Sequence, residues 1–245
     1  MIARSLVPAM LALALALAGA GCRAATETRA DEPPRRLGLM TTLPIYWPEA
    51  HGVGELLQSP GEPSQARQVL ETRFVLEPLD TLEGETLRGY DGLMLAQPRV
   101  LSPAENVALD RWVREGGRLL LFADPMLTQH SHFAIGDKRR AQDVILLSPI
   151  LTHWGLSLTF DPGQPATERT ADAAGLAVPV ALAGKFGVLP GGTCEILGAG
   201  VLARCPIGQG WVTVLADAAV LEEHPSDDEV LRRDALLGLA VLAFD

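Results

Sequence analysis

Cysteine is scarce in this chain, with three residues, Cys22, Cys194 and Cys205, among 245. The only closely spaced pair is better used as a disulfide than as metal ligands, and no H-E-x-x-H zinc motif is present. A P-loop is missing, as is any G-x-G-x-x-G following a strand, so nucleotide hydrolysis and dinucleotide binding have no support. No G-x-S-x-G or G-x-C-x-G elbow occurs, which removes the usual platform for a nucleophilic serine or cysteine. Positive charge is in deficit, 20 Lys and Arg against 30 Asp and Glu, for a net charge of −10. A nucleic-acid partner would need a basic face, so the charge balance argues against that class. Long apolar runs are few. The one after Arg233 has about a dozen mostly apolar residues, short of the roughly 20 a membrane span needs. No internal repeat is visible.

What is present is 48% hydrophobic and ample for one sizeable core. The first 21 residues stand apart from it. Arg4, a Leu/Ala run from Leu11 to Ala18 and Gly19-Ala20-Gly21 before Cys22 have the layout of a secretory signal peptide. The small residues before Cys22 also resemble a bacterial lipobox, although Gly19 stands where Leu is usual. The expectation is therefore an exported, periplasmic chain, anchored to a membrane through a lipid on Cys22. Residues 22–36, charged and Pro-containing without periodicity, read as a flexible tether, and 37–245 as a single α/β domain.

The most informative stretch is Leu87–Pro125. Gly92–Ala96 is apolar on both faces, as suits a strand buried in a parallel sheet. Ser102-Pro103-Ala104-Glu105 announces a helix by cap, first-turn proline and capping box. Ala104, Ala108, Leu109, Trp112 and Val113 form its apolar stripe, and Gly116-Gly117 stops it. Arg118–Ala123 is the next strand, and the three pieces make a right-handed βαβ unit. Earlier strands are expected from Leu37 to Met40 and over Arg73–Leu79, with a short helix at Ser64–Thr72 between them. Later come a helix over Asp143–Trp154, a strand over Leu156–Phe160, a polar exposed run over Gln164–Gly175 and a small antiparallel appendage around 176–210. Trp211–Asp217 reads as a last core strand and Asp227–Phe244 as a closing helix. The expected fold is a mainly parallel sheet with helices on both faces.

Within the appendage, Glu195–Arg204 reads as a hairpin turning at Ala199-Gly200. In that register facing residues have numbers summing to 399, which places Cys194 opposite Cys205 at bridging distance.

Parallel strands ending at Thr41-Thr42, Gln97, Asp124 and Asp217 would converge on one sheet edge, where open α/β sheets bind ligands. The candidate ligand-binding residues are thus Thr41, Thr42, Gln97, Asp124, His130, His132 and Asp217. Asp124 and Asp217 have a plainer alternative as caps of loops and helices. His130-Ser131-His132 raises a metal site with Asp124, Asp217 or His224, but the spacing is common in loops and no metal or cofactor is expected. Pro125, lacking an N–H, also argues against Asp124 as a nucleophile beside an oxyanion hole.

The segments YDGLMLAQP, LSPAENVALDRWVREGGRLLLFADP and GQGWVTVLADAAVL, followed by a closing helix, resemble the periplasmic domain of GldG-type auxiliary components of ABC transporters. That resemblance implies a fold similar to flavodoxin and to class I glutamine amidotransferases without the catalytic cysteine. It implies a non-enzymatic accessory or ligand-binding role, with an ABC permease or other envelope proteins as partners, and no catalytic residues. Two alternatives stand beside it: an envelope hydrolase using Asp124 and the His130/His132 loop, and a structural lipoprotein.

Overall fold

The computed structural model describes residues 34–50, 54, 62–222 and 228–245. The signal-peptide and lipidation expectations, including Cys22, fall outside the described residues, as does His224. Four parallel strands open the domain: β1 (Arg35–Thr41), β2 (Phe74–Pro78), β3 (Gly92–Ala96) and β4 (Arg118–Phe122). Between them lie α1 (Gln65–Glu71), α2 (Gly84–Leu87) and α3 (Pro103–Arg114). Then follow α4 (Ser148–His153), β5 (Leu156–Thr159), β6 (Arg169–Ala173), β7 (Leu176–Val180) and β8 (Lys185–Val188). The chain closes with β9 (Glu195–Leu197), β10 (Leu202–Ile207), β11 (Gly210–Leu215) and α5 (Glu229–Phe244). The main sheet has the order β2-β1-β3-β4-β11-β10-β9. Its first five strands are parallel, and β10 and β9 add an antiparallel border.

Alternate residues of each strand enter different cores, as the pleat requires. Leu37, Leu39, Met94, Leu120, Phe122 and Leu215 face the layer holding α1 and α5. Met40, Leu93, Leu95, Leu119, Leu121 and Val214 face the layer holding α2, α3 and α4. Both faces of β3 and β4 are covered, which is why their sequences are unbroken apolar runs. The start of α3 follows from its sequence. Ser102 Oγ accepts from Glu105 N at 3.2 Å and Glu105 Oε2 accepts from Ser102 N at 2.8 Å. Glu105 also accepts from Leu82 N and from Arg99, so one buried carboxylate joins three segments.

Four boundaries differ from the sequence expectations. β1 starts at Arg35, inside the expected tether, because Arg36 N donates to Asp91 and its guanidinium to Glu77. Residues 143–147 are not helical. Pro149 suits only the first turn of a helix, so α4 begins at Ser148, and Leu127 N and Ile145 N instead bond to Asp143 O and Asp124 O. The polar run Gln164–Gly175 contains β6, whose buried Ala171 and Ala173 lie opposite Val178 and Leu176 of β7. The 176–210 region divides three ways: β7 pairs with β6, β8 pairs with β5, and β9–β10 extend the main sheet.

The hairpin register is as expected, with Leu202 opposite Leu197 and Arg204 opposite Glu195. Cys194 and Cys205 are bridged, with Cα atoms 4.1 Å apart.

Candidate functional site

Strands β1, β3, β4 and β11 run the same way, so Thr41, Ala96, Phe122 and Leu215 all end at one edge of the sheet. The order reverses between β1 and β3, the usual place for a ligand crevice. Here the chain fills that place itself. Gln97 is wholly buried and its backbone is left-handed at φ 46°. Its Nε2 donates to Asp124 O at 3.0 Å and Gln142 O at 2.8 Å, while its Oε1 accepts from Asp124 N at 2.9 Å. Thr42 Oγ1 donates to Gln97 O at 2.5 Å and accepts from Gln142 N at 3.0 Å. The network holds in place a backbone conformation that costs about 1 kcal/mol or more in a residue with a side chain.

Asp124 and Asp217 lie behind this plug with no exposed surface. Asp124 Oδ1 accepts from Met126 N at 2.8 Å and Oδ2 from Ala218 N at 3.1 Å. Asp217 Oδ2 accepts from Ala181 N at 2.9 Å and Oδ1 from Ala219 N at 2.7 Å. Buried Glu222, which the sequence reading passed over, accepts from Thr128 N and Oγ1 at 3.2 and 2.8 Å. Burial pushes the Asp124 carboxyl up to about 7; the Glu222 charge adds to the rise and the backbone N–H groups oppose it. Asp217 is also pushed well above the usual carboxylate range, first by burial and then by Asp124. These carboxyl groups fasten the ends of β4, β7 and β11 together. They do not reach the surface, so the ligand contacts expected of Gln97, Asp124 and Asp217 are not available in this arrangement.

His130 and His132 are exposed on the loop after β4. His132 N donates to Glu49 Oε2 at 2.9 Å. Among the described residues, no three His, Cys, Asp or Glu side chains are placed to hold a metal ion.

An open space lies one strand over, at the carboxyl ends of β1 and β2. A cavity of about 360 Å3 is lined there by Thr41, Thr42, Tyr46, Trp47, Phe133 and Lys138, among others. Of the expected site residues, Thr41 and Thr42 line this cavity. Thr41 Oγ1 is partly used, accepting from Leu43 N at 2.9 Å.

Residues 34–163, just over half of the 245, match the family described as an ABC-type uncharacterized transport system. The chain belongs to this family. The match spans β1 through β5 and includes the cavity, the Gln97 plug and Asp124; it ends before Asp217 and Glu222. It agrees with the resemblance to GldG-type auxiliary proteins carried by residues 90–125. No curated protein matches the chain. Among solved structures, the exo-β-1,4-mannosidase Op5Man5 from Opitutaceae bacterium strain TAV5 is similar over 88% of this chain, with 15% identity and a TM-score of 0.50. The β-galactosidase Gan42B is similar over 86%, with 11% identity and the same score. This chain spans only 37% and 30% of those enzymes, and likeness at such identity is one of fold. A ThuA-like protein from Bacteroides uniformis is similar over 86% of this chain and 91% of its own, with 12% identity and a TM-score of 0.43.

The lining of the family member's cavity explains why sequence reasoning found it only in part. Tyr46, Trp47 and Lys138 sit in loops without periodicity, and their convergence depends on how the loops after β1 and β4 fold toward each other. One signal was available: Pro44 and Pro48 bracket Tyr46-Trp47, a stiffened aromatic pair directly after a parallel strand.

Proposed function

We propose that this domain is a non-enzymatic, exported accessory component of an ABC-type transport system, and that the cavity at the β1 and β2 ends is its contact site for a ligand. Membership of the transport-system family carries the first part. The non-enzymatic reading is supported by Asp124. It stands at the strand end where an amidotransferase-like fold would present a nucleophile, yet both its oxygens accept backbone N–H groups and none of its surface is exposed. Such a group can neither be activated nor meet a substrate. Export is supported by the Cys194–Cys205 bridge, since disulfides persist mainly in oxidising compartments.

The test is purification of the tagged full-length chain from detergent-solubilised membranes of its own organism. An ABC permease or its ATPase should co-purify. Recovery of the intact chain with neither subunit enriched would sink the accessory reading. Anchorage has a separate check: palmitate labelling and globomycin-sensitive processing should both disappear in Cys22→Ser, and their persistence would rule out lipidation at that residue.

A further inference from the structure

The cavity at the β1 and β2 ends is braced without any ligand. On one wall Arg67 lies over the Tyr46 ring at 4.1 Å and donates to Tyr46 O at 3.0 Å, while Ser64 Oγ donates to Ile45 O at 2.8 Å. On the other, Arg140 pairs with Asp143 at 2.9 Å and donates to Phe133 O, and Arg139 pairs with Asp137 at 2.7 Å while stacking on Phe133 at 4.2 Å. Glu49 ties the walls together through His132 N. These charges are spent on holding the shape.

Three side chains on the lining are not spent in that way. Trp47 is 64% exposed and meets the Tyr46 ring edge-on, at 4.9 Å between ring centroids. Lys138, from the loop after β4, has no hydrogen-bond or ion-pair partner among the described residues. Asp80, from the end of β2, accepts no hydrogen bond on its carboxylate among the described residues; Arg99 donates to its backbone O at 2.5 Å while its guanidinium pairs with Glu105 at 2.6 Å. Beside Glu49, which already accepts from His132 N, and the paired Arg139 and Arg140, the lining thus offers a further cation, a further anion and a large apolar face from three separate segments. A ligand of single charge would pair with Lys138 or Asp80 and be repelled by the other. A ligand bearing both charges satisfies both.

Resting on the reading of this cavity as the accessory domain's contact site, we propose that it binds a small zwitterion with an apolar side group, the chemistry of a free amino acid or a very short peptide. The ammonium group pairs with Asp80, the carboxylate with Lys138, and the side group covers Trp47. The volume lies in the roughly 300–1,000 Å3 range of small-ligand sites. Because the walls are already braced, little ordering has to be paid for on binding.

The test is isothermal titration calorimetry on the full-length chain with leucine, phenylalanine and the dipeptide Leu-Phe, and with N-acetyl-Leu-Phe-amide as the uncharged control. At least one free ligand should give saturable binding, with the blocked peptide about tenfold weaker or more, the loss expected for a charge-assisted hydrogen bond. Asp80→Asn and Lys138→Gln should each weaken binding about tenfold, and Trp47→Ala should weaken it further for phenylalanine and Leu-Phe than for leucine. All three positions are exposed enough for the variants to fold, which circular dichroism would check. Absence of saturable heat with every free ligand overturns the proposal. So does equal binding of the blocked and free peptides, or undiminished binding in both charge variants. Co-purification with transporter subunits is independent of these results, so the zwitterion assignment can fail while the accessory role stands.

Discussion

Raising the pH from 5 to 7.5 should destabilise this domain through Asp124. Its carboxyl titrates at about 7 in the folded chain, against 3.8 as the ordinary value. A raised acid pKa means that the folded state holds a proton which the unfolded state releases. The resulting stability is fully present below about pH 4 and is lost as pH rises through 7. The full shift from 3.8 to about 7 corresponds to about 4 kcal/mol as an upper bound, of which about 2.5 kcal/mol is lost between pH 5 and 7.5, with Asp217 acting in the same direction. Urea unfolding followed by Trp fluorescence at pH 5 and 7.5 reads the difference as a lower midpoint at the higher pH. Asp124→Asn should flatten this slope. At pH 5 it should also cost about 1–3 kcal/mol, because an amide can accept only one of the two N–H groups that Met126 and Ala218 present. A wild-type midpoint that rises with pH over this range, or a variant with an unchanged slope, refutes the reasoning.

Glu105→Ala should lower stability by about 2–3 kcal/mol, since it orphans Leu82 N and Ser102 N and strands Arg99. The Arg99 guanidinium holds the Glu105 carboxyl down at about 2, so its contribution is complete above about pH 4.5 and fades as pH falls toward 2; acid titration of wild type against the variant checks this. Replacing Cys194 and Cys205 together by Ala should lower stability by about 2–3 kcal/mol, the value for so short a closed loop, with the fold retained by circular dichroism. A double variant as stable as wild type in the oxidised form would refute it.

The fold was legible wherever one local rule dominated. Leu93-Met94-Leu95 announced a doubly buried strand, and Ser102 with Glu105 marked the start of α3 to the residue. The Cys194–Cys205 register followed from turn position and the two-residue pleat period alone. β6 was missed because its inward residues, Ala171 and Ala173, are too small to give an alternating signal. The site was legible as a sheet edge but not as a surface. Thr42, Gln97, Asp124 and Asp217 do assemble there, yet sequence could not reveal that Gln97 would turn inward and that Gln142, 45 residues later, would close over it. Which polar group faces solvent is decided by long-range loop packing.

The placement of β1 has a mechanical consequence. It is the strand nearest the amino end of the described chain, yet it lies between β2 and β3 with parallel ladders on both sides. Tension applied along the chain at Arg35 runs along the axis of β1 and loads both ladders in shear, many hydrogen bonds at once. An edge strand pulled sideways would instead unzip one bond at a time. The amino end of β1 is further clasped by Arg35, which pairs with Asp245 at 2.6 Å, so a pull at Arg35 also loads that pair. The cavity lies at the opposite end of the same strand, away from the point where such a load enters.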